Sequence, residues 1–289
     1  MRPFEETLRK LCEASRKKSV DPYAYLDWPE RLEPGHWFTS PELISLYGTP
    51  TWERMDEAAR ARLSFLEAVN FYSLNIHGEK MLIEGLAQRL YHSTDPTWGV
   101  CSPYLHHFLD EENKHLVYFG GFCRRYADAI YPDRKISLPR KYAPGEEDFL
   151  FFARVLVFEE IVDAFNQRMA NDERLAPIAR RINLIHHLEE TRHLVFGRQI
   201  VSELFERYAP RWTDATLQGV RGYMSAYVVT AWKDYYNPDV YSDAGLDDPY
   251  ELAEEAFRDE GRRAQRREVS ADCVRFLLEQ GILGREPPL

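Results

Sequence analysis

Apolar residues recur every three or four positions along most of this chain and almost nowhere every two. That period marks helices with one side against a core. Residues 4–18 read as a short amphipathic helix. Residues 20–50 are rich in Pro, Trp, Tyr and Gly and read as an ordered arm over a helical body, in which Ser40-Pro41-Glu42 starts a brief helix. A long helix is predicted from Thr51 to about His92, carried by Leu63, Leu66, Tyr72, Ile76, Leu82, Ile83, Leu86 and Leu90, and His92-Ser-Thr-Asp-Pro-Thr breaks it. A second runs from about Trp98 to Tyr131, with a bend expected at Gly120-Gly121. Pro132 to Glu146, with three prolines and a basic middle, is a connection. Helical spacing resumes over Glu147–Met169, pauses at Asn171-Asp172, and resumes from about Pro177 to Tyr208, where Pro210 ends it. An aromatic-rich helix is expected over 213–236. A turn-rich segment from Asn237-Pro238 to Asp248-Pro249 follows, and two shorter helices close the chain. No stretch reads as a convincing strand.

Long helices joined by short breaks pack as antiparallel neighbours. The 132–146 connection, fully extended, spans roughly 45–50 Å, and a 25-residue helix is about 37 Å long. The connection can therefore return along the whole bundle. The expected fold is all-α: a ferritin-like four-helix bundle with one crossover over about 55–208, an N-terminal arm at 1–50 and extra C-terminal helices at 211–289, in a single domain.

Chemistry enters at His186-x3-Glu190-x2-His193. Steps of four and three put all three side chains on one helix face, and the apolar neighbours Ile182, Ile185 and Phe196 turn that face inward. Charge buried there is costly unless paired or metal-bound. The second long helix carries Glu112-x-x-His115 among Phe108, Leu109, Leu116 and Phe119. Each Glu-x-x-His has a glutamate upstream at nearly equal separation: Glu79 is 33 residues before Glu112, and Glu159 is 31 before Glu190. Across a helical hairpin such separations bring the carboxylates level. A lone Glu-x-x-His is expected about once by chance in such a chain. Two, on core-like faces and with matched upstream glutamates, form the pattern of di-iron carboxylate bundles. Glu79 is preferred over Glu84, and Glu159 over Glu160, because their helix faces are apolar. The predicted metal ligands are Glu79, Glu112, His115, Glu159, His186, Glu190 and His193. Glu111 and Glu189, each just before a ligand glutamate, are candidates to orient ligand histidines from outside. His187 points away and reads as structural. Arg192 and Arg181 are candidates to balance buried carboxylates. Tyr72 and Tyr118 read as core aromatics.

Composition narrows the class. A net charge of −10 gives no sign of nucleic-acid binding. The basic run Arg262–Arg267 reads as a solvated helix face. Cys12, Cys101, Cys123 and Cys273 are scattered, so no zinc site or disulfide framework is expected, and a cytoplasmic location is. No signal peptide or membrane span is expected either. No dinucleotide-binding Gly motif follows a strand.

The seven ligand positions resemble those of the p-aminobenzoate N-oxygenase family of di-iron enzymes, whose third histidine stands four residues before the second Glu-x-x-His glutamate, as His186 does here. The resemblance covers about residues 60–200 and extends to Gly78-Glu79. It departs at Glu111 and Glu189, where many relatives have Asp. It implies two iron ions, O2 as co-substrate and a peroxo-diferric intermediate that oxygenates the nitrogen of a small-molecule amine in specialised metabolism. It also implies an external electron donor and, by analogy, a homodimer. The alternatives are C–H hydroxylation or desaturation, radical N–N coupling to an azoxy product, or non-catalytic iron binding on the same scaffold.

Overall fold

A computed structural model describes residues 3–91, 96–133 and 140–289. Among them lie ten α-helices: α1 (Pro3–Lys18), α2 (Pro50–Arg54), α3 (Glu57–Arg89), α4 (Pro96–Phe122), α5 (Glu146–Asn171), α6 (Pro177–Tyr208), α7 (Asp214–Lys233), α8 (Pro238–Asp243), α9 (Pro249–Arg258) and α10 (Glu260–Glu279). The only β-type pairing among the described residues is one isolated bridge between Trp37 and Leu175. Residues 92–95 of the expected break at 92–97, and residues 134–139 of the expected connection, lie outside the described residues, and Pro96 and Thr97 already belong to α4.

The four long helices form the bundle, and their side-chain pairs fix its directions. Along α3 and α4, Arg89 meets Trp98, Glu79 meets His115 and Tyr72 meets Phe119, so the two run oppositely. Along α5 and α6, Phe149 meets Phe205, Glu160 meets Arg198 and Asn166 meets His186, again antiparallel. Helix α3 is also antiparallel to α5, through Arg89–Asp148, Gly85–Phe151 and Phe71–Phe165. It follows that α4 and α5 are parallel, and the chain between them must return along the bundle. That is the single-crossover ferritin-like topology expected from the helix lengths.

Three element boundaries differ from the sequence reading. The helix predicted from Thr51 is broken at Met55–Asp56, because Asp56 leaves helical geometry and caps α3 with a side-chain bond to the Ala59 amide. The second long helix stops short of Tyr131. It passes into a π-helical turn at Cys123–Ala127 just beyond the two glycines, and Asp128 turns left-handed at φ 50°. Tyr131 is then held against α3 by the Ser73 hydroxyl and by His77. After α7 there are three helices, since α8 forms inside the turn-rich segment on the Asn237 cap, and α10 is as long as α7.

The arm and C-terminal helices are tied to the bundle by buried polar bonds. Ser64 of α3 accepts from the Phe38 and Thr39 amides. Glu67 of α3 accepts from Ser45, whose hydroxyl also meets Tyr241 of α8. The basic run corrects the expectation of a solvated face: Arg262 and Arg266, one turn apart, are 7% and 0% exposed. Their terminal guanidinium nitrogens have partners that offset burial, while Nε of each has none. Arg262 donates to the Glu42 and Ile44 carbonyls, and Arg266 donates to the Tyr236 hydroxyl and the Phe257 carbonyl while lying 4.1 Å over the Phe257 ring.

Candidate metal centre

Because the helices pair in this register, Glu79 of α3, Glu112 of α4, Glu159 of α5 and Glu190 of α6 lie level with one another in the middle of the bundle. All seven predicted ligands come together and none is more than 4% exposed. They fall into two groups of mutually close donor atoms: Glu79, His115, His186 and Glu190, and then Glu112, Glu159 and His193. His186 Nε2 lies 2.9 Å from Glu190 Oε1 and 3.5 Å from Glu79 Oε1. His115 Nδ1 lies 3.2 Å from Glu112, 3.5 Å from Glu190 and 3.7 Å from Glu79. His193 Nδ1 lies 2.9 Å from Glu112 Oε1 and 3.3 Å from Glu190 Oε1. Two donors bonded to one ion at about 2.1 Å stand about 3.0–3.4 Å apart for right-angle to tetrahedral geometry. The spacings suit donors that share ions.

Orphaned atoms give a second test of fit. Both Glu159 oxygens and Glu190 Oε2 are buried without a hydrogen-bond partner, and Glu112 Oε1 and His186 Nε2, though close to His193 and Glu190, make no well-aligned hydrogen bond. Native proteins rarely leave such acceptors unsatisfied. Four carboxylates facing one another match the charge of two divalent cations. Their electrostatics ask for the same positive charge. Burial, then neighbouring Glu190 and Glu112, push Glu159 well above the usual carboxylate range. Burial opposes ionisation of Glu112 and Glu190 too, but the neighbouring histidines outweigh it and both are lowered. Burial works against a charged His115, yet Glu112 and Glu189 outweigh it and push it up to about 10. Burial works against a charged His193 as well, yet Glu190 and Glu112 raise it, whereas burial and His115 keep His186 toward the neutral form. Protons on His115 and His193 thus stand where metal ions would, and metal binding would release them.

The surrounding residues are cross-wired. Glu189 of α6 holds Nε2 of His115 on α4 at 3.1 Å, and Glu111 of α4 holds Nε2 of His193 on α6 at 2.8 Å. Arg192 donates to Glu111 Oε1 at 2.6 Å and reaches Glu189 at 4.0 Å. Fixing the distal nitrogen leaves Nδ1 of each histidine as the donor toward the cluster. Arg181 does not join this network. Contrary to the expectation that it balances the buried carboxylates, it lies at the surface with Asp27, because its side chain points outward to the arm. His187 bonds Asp163 at 2.6 Å, outside the cluster. Tyr72 is buried, stacks on Phe119 and accepts from Asn183. Tyr118 packs beside Tyr25 of the arm.

Two residues escaped the sequence reading. Asn166 lies 2.7 Å from His186 Nδ1. Tyr104, two turns before Glu112, has a buried hydroxyl without a partner. Burial, helped by Glu111 and Glu159 and only partly opposed by His193 and Arg192, pushes its ionisation up. Both sit seven or eight positions from a candidate ligand glutamate on the same face, which was the available signal.

The sequence profile of the family described as p-aminobenzoate N-oxygenase AurF matches residues 3–281. The chain belongs to this AurF family. The match reaches well beyond residues 60–200, into the arm and the C-terminal helices. Two curated relatives are described as uncharacterized: Rv0885 of Mycobacterium tuberculosis (strain ATCC 25618 / H37Rv) and Mb0909 of Mycobacterium bovis (strain ATCC BAA-935 / AF2122/97). Each is 25% identical over 215 residues, covering 71% of this chain and 62% of the relative. The chain therefore spans less than two thirds of these relatives' length. Among solved structures, a mutant R2-like ligand-binding oxidase with aerobically reconstituted Mn/Fe cofactor is 14% identical, with a TM-score of 0.50, covering 98% of this chain and 94% of that one. That likeness establishes the fold this AurF-family chain shares. No helix among the described residues is long and apolar enough to cross a membrane.

Proposed function

We propose that this protein is an O2-dependent dimetal oxygenase that oxygenates the nitrogen of a small amine, using two iron ions and an external electron donor. The observation that carries the reading is the buried set of four glutamates and three histidines, level across four helices, in a chain of the AurF family. Glu79, His115, His186 and Glu190 would hold one metal, and Glu112, Glu159 and His193 the other. Two irons bound there would supply O2 activation, which carboxylate and imidazole donors suit. Glu111 and Glu189 fix the tautomers of His193 and His115 and keep their rings aimed at the cluster. Arg192 offsets the charge of those two outer carboxylates.

Aromatic rings pack around the cluster and support one class of amine over another. Phe108 stacks on His193 at 4.0 Å and Phe119 meets His186 edge-on at 4.8 Å, with Tyr104, Phe196 and Tyr72 behind them. These rings exclude water and offer aromatic contact. Among the described residues Arg192 is the cation beside the cluster, and it already pairs with Glu111. We therefore favour an uncharged aryl or alkyl amine over a carboxylate-bearing one.

The test is metal analysis followed by product mass. The reading expects two metal ions per chain, and 18O from 18O2 on the nitrogen of at least one neutral amine from a panel. Label on carbon would move the reading to hydroxylation. Well under two metals per chain would end it.

A further inference from the structure

The three imidazoles of the cluster are not held alike. His115 and His193 point Nδ1 at the cluster and give Nε2 to a buried glutamate. His186 is turned the other way. Its Nε2 faces Glu79 and Glu190, and its Nδ1 meets a neutral carboxamide, Asn166, at 2.7 Å. Asn166 stands on α5 two turns beyond Glu159 on the same inward face, and it and His186 are 0% and 1% exposed. As placed, its amide nitrogen lies against Nδ1 and its Oδ1 has no partner. A half-turn of the amide presents Oδ1 to an Nδ1–H, the tautomer that frees Nε2 as a donor. In either orientation the Asn166–His186 contact is neutral.

That difference has a chemical consequence. An imidazole whose distal N–H donates to a carboxylate becomes a stronger donor at its other nitrogen, and a carboxamide gives much less of this push. We propose that Asn166 is a positioning residue that makes His186 the weakest-held imidazole of the centre, aimed at its metal yet able to yield when another ligand competes. The inference rests on the dimetal reading above.

Cobalt(II) tests it without turnover. Metal-free protein is loaded anaerobically with two equivalents of Co(II) and mixed with excess EDTA, and the loss of ligand-field absorption is followed. Wild type should release one ion faster than the other. Asn166→Asp, which supplies a carboxylate, should slow the fast phase by about 10–100-fold, the usual range for residues that support a metal ligand. Asn166→Leu should accelerate that phase by about tenfold or more and leave the slow phase within about twofold. In a His186→Ala background neither substitution should change release, because the coupled partner is gone. If Asn166→Asp does not fold, Asn166→Leu with the double variant carries the test. Two bound ions with release indifferent to residue 166, or an effect that persists without His186, overturns the inference and leaves the dimetal reading standing. Fewer than two bound ions overturns both.

Discussion

Glu67 offers a stability test independent of metal. It lies on α3, three turns before Glu79, and is buried where the arm, α3 and α8 meet. Its carboxyl accepts from the Ser45 amide at 3.1 Å and from the Ser45 hydroxyl, which in turn lies 2.7 Å from the Tyr241 hydroxyl. Burial pushes its pKa up to about 8, and the Ser45 bonds and Arg262 only partly oppose this. The folded protein therefore keeps a proton that the unfolded chain releases near 4.5. This contribution to stability is fully present below about pH 4.5 and is lost as pH rises through about 8. The loss is about 1.4 kcal/mol per pH unit, or about 3–5 kcal/mol in all. Glu67→Gln resembles the protonated acid and has no such slope. At pH 5 the two proteins should differ little. At pH 8.5 the variant should melt higher by about 6–10 °C, at about 2 °C per kcal/mol for a chain of this size. Parallel melting curves from pH 5 to 8.5, at constant ionic strength and scan rate, would show that Glu67 is ionised in the fold and refute the reasoning.

Other substitutions probe packing and the metal cluster. A methyl group at Gly85 would meet the Phe151 ring at 2.1 Å, and that ring is buried beneath Arg89 and against Phe152. Gly85→Ala should lower the melting temperature by about 2–6 °C, since overpacking of about 1–3 kcal/mol exceeds the helix-propensity gain. Gly78→Ala meets Phe158 at 2.6 Å, but that ring is only half-buried and can swing outward, so the melting temperature should stay within about 2 °C. Equal losses at both positions would contradict the argument. Arg192→Gln leaves Glu111 with His193 alone, so metal affinity should fall about 10–100-fold in a chelator competition. His187→Ala should retain two metal ions by elemental analysis, because His187 pairs with Asp163 outside the cluster.

How much of this centre the chain announced depends on charge. Glu79, Glu112, Glu159 and Glu190 stand out because a carboxylate on an apolar helix face is costly unless something positive meets it. Helix periodicity placed each on a face, and near-equal hairpin separations placed them at one height. Glu111 and Glu189 were legible as symmetric neighbours of ligands. Their crossed assignment, each to the histidine of the other helix, was not, because it depends on how α4 and α6 face one another. Arg192 and Arg181 look alike as letters, and only the rotation of α6 separates the buried partner of Glu111 from a surface partner of Asp27. Arg262 and Arg266 misled for the same reason: a charge run says nothing of carbonyls brought from the arm and α9.

Asn166 marks where that kind of reading stops. A neutral carboxamide in a stripe of Val155, Leu156, Val162 and Phe165 raises no electrostatic alarm, and asparagine spacing belongs to no metal motif. Its position two turns past Glu159 is informative only after His186 is known to face it across the α5–α6 pair. The candidate ligand set is encoded in titratable residues, whose burial must be compensated and which therefore show in the pattern. The proposed difference among the candidate ligands lies in an uncharged dipole, whose effect rests on one contact. The features that identify the family are accordingly legible along the chain, while the feature that would set this centre's donor balance emerges only from the packing.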